Sequence, residues 1–201
     1  AAEARGLPAE CEPQRVAAAL ERWGAAEYRK VWPEVVAALD SPRRRALGEA
    51  LTALLADPPL RRRAARDALP ELSRVAAREQ RRTAERVRAA LAAAPGERAP
   101  ALHAARKAAK RARYAGETAA PAVGARAERY TERMKAVQDV LGEHQDAVVA
   151  AATLAAQAAS GVEPFGYGVL YGRRLATEEA ARLRLPEVWR RAGKRKLARF
   201  G

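Results

Sequence analysis

Cysteine is almost absent from this 201-residue chain: Cys11 stands alone. An intrachain disulfide framework and a thiolate metal cluster are therefore excluded, and the usage fits a reducing compartment. Cys11 itself reads as a small apolar residue rather than a nucleophile. Aromatics make up only 5% of the residues, and the two histidines, His103 and His144, show no HExxH spacing. There is no GxxxxGK phosphate loop, no GxGxxG after a strand-like run and no GxSxG elbow. No stretch approaches the roughly 18 uninterrupted apolar residues of a membrane span. Acid is scarce relative to base: 38 Lys plus Arg against 24 Asp plus Glu give a net charge of +14. Residues 1–10 carry neither a leader pattern nor an amphipathic transit pattern, and Ala1 in place of methionine reads as a processed or truncated chain. A cytoplasmic location is the expectation.

What is present points to helix. Hydrophobic residues reach 49%, enough for a core, and long runs of Ala, Leu, Glu and Arg favour helix while strand-like alternation is missing. The spacing predicts an all-α fold, one domain or two small ones. A first helix covers about 15–39, with Val16, Ala19, Leu20, Trp23, Val31, Val35 and Leu39 at three- and four-residue steps and a kink or break at Pro33. Ser41 and Pro42 are the N-cap and first position of a helix ending at Asp57-Pro58-Pro59. A long basic helix follows over 60–94, interrupted or bent at Pro70, before Pro95-Gly96. Further helices are expected at about 100–119, ending near Pro121, at 125–159, and at 165–192 with Pro186 inside and a basic Lys194-Arg195-Lys196 tail.

Charge is segregated on these helices. On a wheel at 100° per residue, His103, Arg106, Lys107, Lys110, Arg111, Arg113 and Tyr114 occupy about 160° of one side. Ala104, Ala105, Ala108, Ala109, Ala112, Ala115 and Gly116 fill the other. No acid lies between 103 and 114, so salt bridges within that stretch cannot neutralise it. Cations held so close repel, and an anion bridging them is the simplest reason to keep them; the alternative is a solvated face in an Arg-rich proteome. A second stripe, Arg74, Arg78, Arg81, Arg82 and Arg88, is interrupted by Glu85, which leaves that face partly self-neutralised.

Tyr130, Met134, Val137, Leu141, His144 and Val148 share one seam, a core pattern in which His144 is a packing residue. Lys135 and Gln138 project elsewhere, beside Gly142, where backbone or ligand can come close. Asp139, Glu143 and Asp146 share a face and read as partners for arginines rather than metal ligands.

The stretches Leu102-His103-Ala104-Ala105-Arg106-Lys107-Ala108-Ala109-Lys110-Arg111-Ala112-Arg113-Tyr114 and Met134-Lys135-Ala136-Val137-Gln138-Asp139-Val140-Leu141-Gly142-Glu143-His144-Gln145-Asp146, in this order and at this separation, closely resemble the C-terminal half of the conserved histidine α-helical domain, the CHAD family. Phe165-Gly166-Tyr167-Gly168 and the Asp40-Ser41-Pro42 break look like its actinobacterial members, so the resemblance covers most of the chain. It implies two four-helix bundles related by a pseudo-two-fold, with basic faces lining a groove or pore that binds inorganic polyphosphate. It also implies association with polyphosphate granules and, in some members, fusion to a triphosphate-cleaving tunnel domain, of which nothing is visible here. On the resemblance, His103, Arg106, Lys107, Lys110, Arg111, Arg113 and Tyr114 carry over as ligand-surface residues, with Lys135 and Gln138 as neighbours. Arg74, Arg78, Arg81 and Arg82 match only a general basic helix. The family's earlier histidine motif, an HxxRVxxRRLR-like helix, is absent from residues 1–99. The chain is thus expected to form one CHAD-like domain over 1–201 lacking its N-terminal portion, with 1–94 the remainder of the first half and 95–201 the second. A closed pore would then need another chain.

The expected function is non-catalytic binding of polyphosphate, with no catalytic residue, metal or cofactor and no membrane partner. Arg offers bidentate forks to phosphate oxygens and Lys a mobile point charge, a mixture suited to a ligand of variable register. The rivals are a nucleic-acid-binding module, with nucleic acid otherwise only a weaker competitor, an accessory domain of a polyphosphate- or triphosphate-processing enzyme, and a scaffold whose tail docks on acidic partners.

Overall fold

The computed structural model describes residues 1–161 and 163–200, without the side chain at position 63. Within them run seven α-helices and three short 3-10 turns, with no strand. The helices are α1 (Ala2–Arg5), α2 (Pro13–Leu39), α3 (Pro42–Ala56), α4 (Ala68–Ala92), α5 (Pro95–Val123), α6 (Ala125–Ala159) and α7 (Pro164–Ala192). Pro13, Pro42 and Pro95 sit in first turns, where a missing N–H costs nothing; Pro42 was expected there, whereas Pro95, expected in a turn before a helix from about 100, opens α5 itself. The Ser41 hydroxyl accepts from the Arg44 amide at 3.2 Å, capping α3.

Two expected interruptions, at Pro33 and near Pro121, do not occur. Pro33 lies inside an unbroken α2, and α5 runs straight through Pro100 and Pro121. All three prolines are exposed, so the carbonyl that each leaves unpaired one turn earlier is not sealed from water. Pro70 does not interrupt its helix either. It falls in the first turn of α4, and the interruption lies before it, where residues 62–65 form a separate 3-10 turn.

The chain divides into two compact units, Ala1–Arg66 with Gln157–Val169 and Asp67–Ala156 with Leu170–Gly201. The first unit has a small core of Ala4, Leu7, Cys11, Val16, Ala17, Ala19 and Tyr167. Gly166 is required there, because a Cβ on it would lie 2.4 Å from Val16 Cγ2 and 2.9 Å from the Cys11 carbonyl oxygen. Arg15 Nε pairs with Glu163 at 2.8 Å and ties the same two segments. The apolar periodicity of α2 is buried only at Val16 and Ala19. From Trp23 onward its large apolar residues are exposed, and α3 has no buried residue. Few buried contacts mean low local opening free energies. In hydrogen-exchange mass spectrometry the α3 amides are therefore expected to exchange orders of magnitude faster than those around Met134 in α6.

The second unit is a four-helix arrangement. α4 supplies Ala76, Val87 and Ala90, α5 supplies Leu102 and a row of alanines, α6 supplies Tyr130, Met134, Val137 and Leu141, and α7 supplies Leu185 and Ala192. α5 and α6 form an antiparallel hairpin through Gly124, whose φ of +65° is a region that favours glycine. Alanines on α5 let α6 approach closely, and Gly116 marks the tightest point, against Tyr130 and Thr131. The residues after α7 fold back over the core. Gln80 Nε2 donates to the carbonyls of Ala192 and Lys194 at 3.2 and 3.1 Å. Phe200 meets the Tyr130 ring edge-on with centroids 5.9 Å apart.

Candidate functional site

The buried and exposed sides of α5 follow its alanine pattern. Leu102, Ala105, Ala108, Ala109, Ala112, Gly116 and Ala119 are buried, whereas His103, Lys107, Lys110, Arg111 and Tyr114 are exposed and Arg106 and Arg113 half-buried. A face of methyl groups packed on neighbouring helices holds the opposite, cationic face in fixed register.

Within that face the charges are unequally satisfied. Arg113 Nε donates to Gln138 Oε1 at 2.9 Å, and another of its nitrogens pairs with Glu117 at 2.7 Å. Among the described residues, Arg106, Lys107, Lys110 and Arg111 make no ion pair. Tyr114 lies between two cations, with Arg113 4.8 Å and Lys110 5.6 Å from its ring centroid, so the ring spaces them at a modest cation–π gain. His103 Nδ1 is 2.9 Å from Gln145 Oε1.

Gln138 therefore positions Arg113 from α6. Gln145, which sequence reasoning did not single out, does the same for His103. A signal existed: His103 and Gln145 are each 21 residues from Gly124, and Arg106 and Gly142 each 18. Recognising a hairpin through Gly124 would have paired them. A Cβ on Gly142 would sit 3.7 Å from Arg106 Nε, so the guanidinium lies along the α6 backbone. That nitrogen is buried without a hydrogen-bond partner. It borders a recess of about 510 Å³ also lined by Gln138, Asp139, Glu143, Asp146, Arg174 and Thr177, where the charges are mixed.

The other expected site residues are placed differently. Lys135 is exposed and pairs with Asp139 at 2.6 Å, and among the described residues no hydrogen bond joins it to the α5 stripe. Arg74 pairs with Glu71 at 2.6 Å, and Arg78 and Arg82 reach Glu79 at 3.0 and 3.6 Å. The neutralising acids on α4 are therefore Glu71 and Glu79, not Glu85 as expected, because Glu71 sits one turn before Arg74, and Glu79 beside Arg78 and one turn before Arg82. Arg81 makes no ion pair among the described residues, and no hydrogen bond or ion pair joins the α4 arginines to the 103–114 stripe. Glu143 pairs with Arg184.

His144 is a buried seam residue, and its Nε2 lies 3.5 Å from Glu178. Burial lowers its pKa, Glu178 opposes that shift, and Arg182 adds to it. A depressed histidine leaves the folded state binding fewer protons than the unfolded one below the ordinary value of 6.5, so stability falls as pH drops through that value and levels off below the folded pKa. His144→Leu is expected to flatten this part of the dependence. Urea melts of both proteins from pH 7.5 to 5 measure it, and identical slopes would show that His144 does not titrate differentially.

A helical bundle presenting one helix whose cationic face is acid-free from 103 to 114 and largely unpaired defines the class of the protein. The CHAD domain profile matches residues 1–155, and the chain belongs to the CHAD domain family. Two relatives in Mycobacterium tuberculosis, Uncharacterized protein MT2285 of strain CDC 1551 / Oshkosh and Uncharacterized protein Rv2226 of strain ATCC 25618 / H37Rv, are each 38% identical to it over 98 residues. The matched stretch is 47% of this chain and 18% of each relative, so the chain spans well under half their length. No solved structure matches it. Among the described residues, no helix is long and apolar enough to cross a membrane.

Proposed function

We propose that this chain binds inorganic polyphosphate through the exposed face of α5, without catalysing its turnover. The observation that carries the reading is the cluster of Arg106, Lys107, Lys110 and Arg111 without carboxylate partners on a rigidly packed helix. Membership of a family associated with polyphosphate and triphosphate binding supports it. A flexible polyanion offers no base edges to read, so spaced guanidinium and ammonium donors suffice, and affinity comes largely from released counterions. Arg113 and His103, held by Gln138 and Gln145, extend the face at either end, with Tyr114 as spacer. Lys135, Arg74, Arg78, Arg81 and Arg82 are flanking contributors, weakened where a carboxylate already neutralises them.

The test is a titration with long-chain polyphosphate at about 150 mM salt, where a polyanion interface is already steeply salt-dependent. Lys107→Ala/Lys110→Ala is expected to weaken binding about tenfold and to lower the salt slope. Duplex DNA of equal charge should compete poorly, and no phosphate should be released with Mg²⁺ or Mn²⁺. Binding indifferent to the double substitution would mean that the α5 face is only solvated charge. Easy displacement by DNA would favour a nucleic-acid module, and phosphate release an enzyme.

A further inference from the structure

We propose a second anion site, separate from the α5 face, in the recess where the start of α6 meets the turn after α7, and that it takes a compact di- or triphosphate. The recess holds about 250 Å³ and is lined by Arg126, Arg129, Lys196, Leu197 and Arg199. Four of its five lining residues are cations and none is an acid. Among the described residues Arg129, Lys196 and Arg199 make no ion pair.

These side chains are gathered by construction. The segment after α7 is pinned at both ends. Its start is held by Gln80 on the carbonyls of Ala192 and Lys194, and its end by Phe200, buried against Tyr130. Arg126 donates to the Phe200 carbonyl at 3.1 Å, and Phe200 N donates to Ser73 Oγ at 3.4 Å. Between these anchors Lys196, in the 3-10 turn Arg195–Ala198, and Arg199 just after it are set beside the first turns of the 35-residue α6. The positive end of that helix dipole adds to the local field. Like charges assembled at this density repel, and a multivalent oxyanion is the ligand class that converts the repulsion into binding.

The volume and single concavity fit one to three phosphate groups rather than a long strand. The recess is also independent of the first site. At 100° per residue, Arg126 and Arg129 lie on roughly the opposite side of α6 from Gln138, Gly142 and Gln145, which serve α5.

Amine-reactive labelling of the full chain, read by mass spectrometry at each lysine with and without pyrophosphate, tests this directly. Saturating pyrophosphate is expected to reduce labelling of Lys196 about fivefold while leaving Lys30 unchanged. Arg129→Gln/Arg199→Gln, which removes two exposed guanidiniums without touching the Phe200 anchor, should abolish the protection with an unchanged melting temperature. Lys107→Ala/Lys110→Ala should retain it. Protection at Lys196 no greater than at Lys30, survival of protection in Arg129→Gln/Arg199→Gln, or its loss in Lys107→Ala/Lys110→Ala would overturn the proposal. Labelling of Lys107 and Lys110 in the wild-type chain with long-chain polyphosphate reports separately on the α5 face, so failure of one site does not imply failure of the other.

Discussion

Gly116→Leu is expected to cost about 3 kcal/mol or more of folding stability, the range of severe overpacking at a site that cannot yield. A Cβ at this position would lie 2.3 Å from Thr131 Oγ1 and 2.8 Å from Tyr130 Cδ1. Neither neighbour is free to move: Thr131 Oγ1 donates to the Ala127 carbonyl at 2.9 Å, and the fully buried Tyr130 donates to the Ala76 carbonyl at 3.2 Å. Gly116→Ala should therefore also be destabilising, although alanine is about 1 kcal/mol better than glycine in a helix interior. Removing one obstacle, as in Gly116→Ala/Thr131→Ala, should recover part of the loss, because residues in contact do not behave additively. Gly142→Ala on the same hairpin is the control. Its new Cβ meets only Arg106 Nε at 3.7 Å, ordinary contact distance, so the substitution should be neutral or slightly stabilising. Urea denaturation of the four variants checks the set, and a stable Gly116→Leu protein would show that α5 and α6 do not cross so closely.

Lys107→Glu/Arg111→Glu is expected to reduce polyphosphate affinity by about 100-fold at moderate salt, since each reversal removes a phosphate contact and adds a repulsion. These two residues are exposed and unpaired among the described residues, so reversal disturbs no internal partner. Arg78→Glu should do much less, because Arg78 Nε already lies 3.0 Å from Glu79 and its charge is partly spent. A loss no larger at 107 and 111 than at 78 would remove the distinction between paired and unpaired cations on which the proposed function stands. Combining Lys110→Glu with Arg78→Glu asks whether both helices serve one anion. Additive losses would place the two stripes on separate patches, and coupling would place both along one groove.

Much of this was legible from residue order alone. Alanine opposite arginine at helical spacing identified which side of α5 is buried, and the seam from Tyr130 to His144 identified the core face of α6, because burial on a helix follows a 3.6-residue period whatever the partner. Ser41-Pro42 located a helix start because capping is local chemistry within one turn. Proline was misleading at positions 33 and 121, since its cost in a helix depends on whether the freed carbonyl can reach water, and that is a property of the surface. Two features needed tertiary structure: Gln145 holding His103, and the tail cations meeting Arg126 and Arg129. Each joins side chains by the rotation of one helix against its neighbours. A sequence states how many charges there are and on which face they lie, but pairing is decided within a few ångströms, by which faces packing brings together.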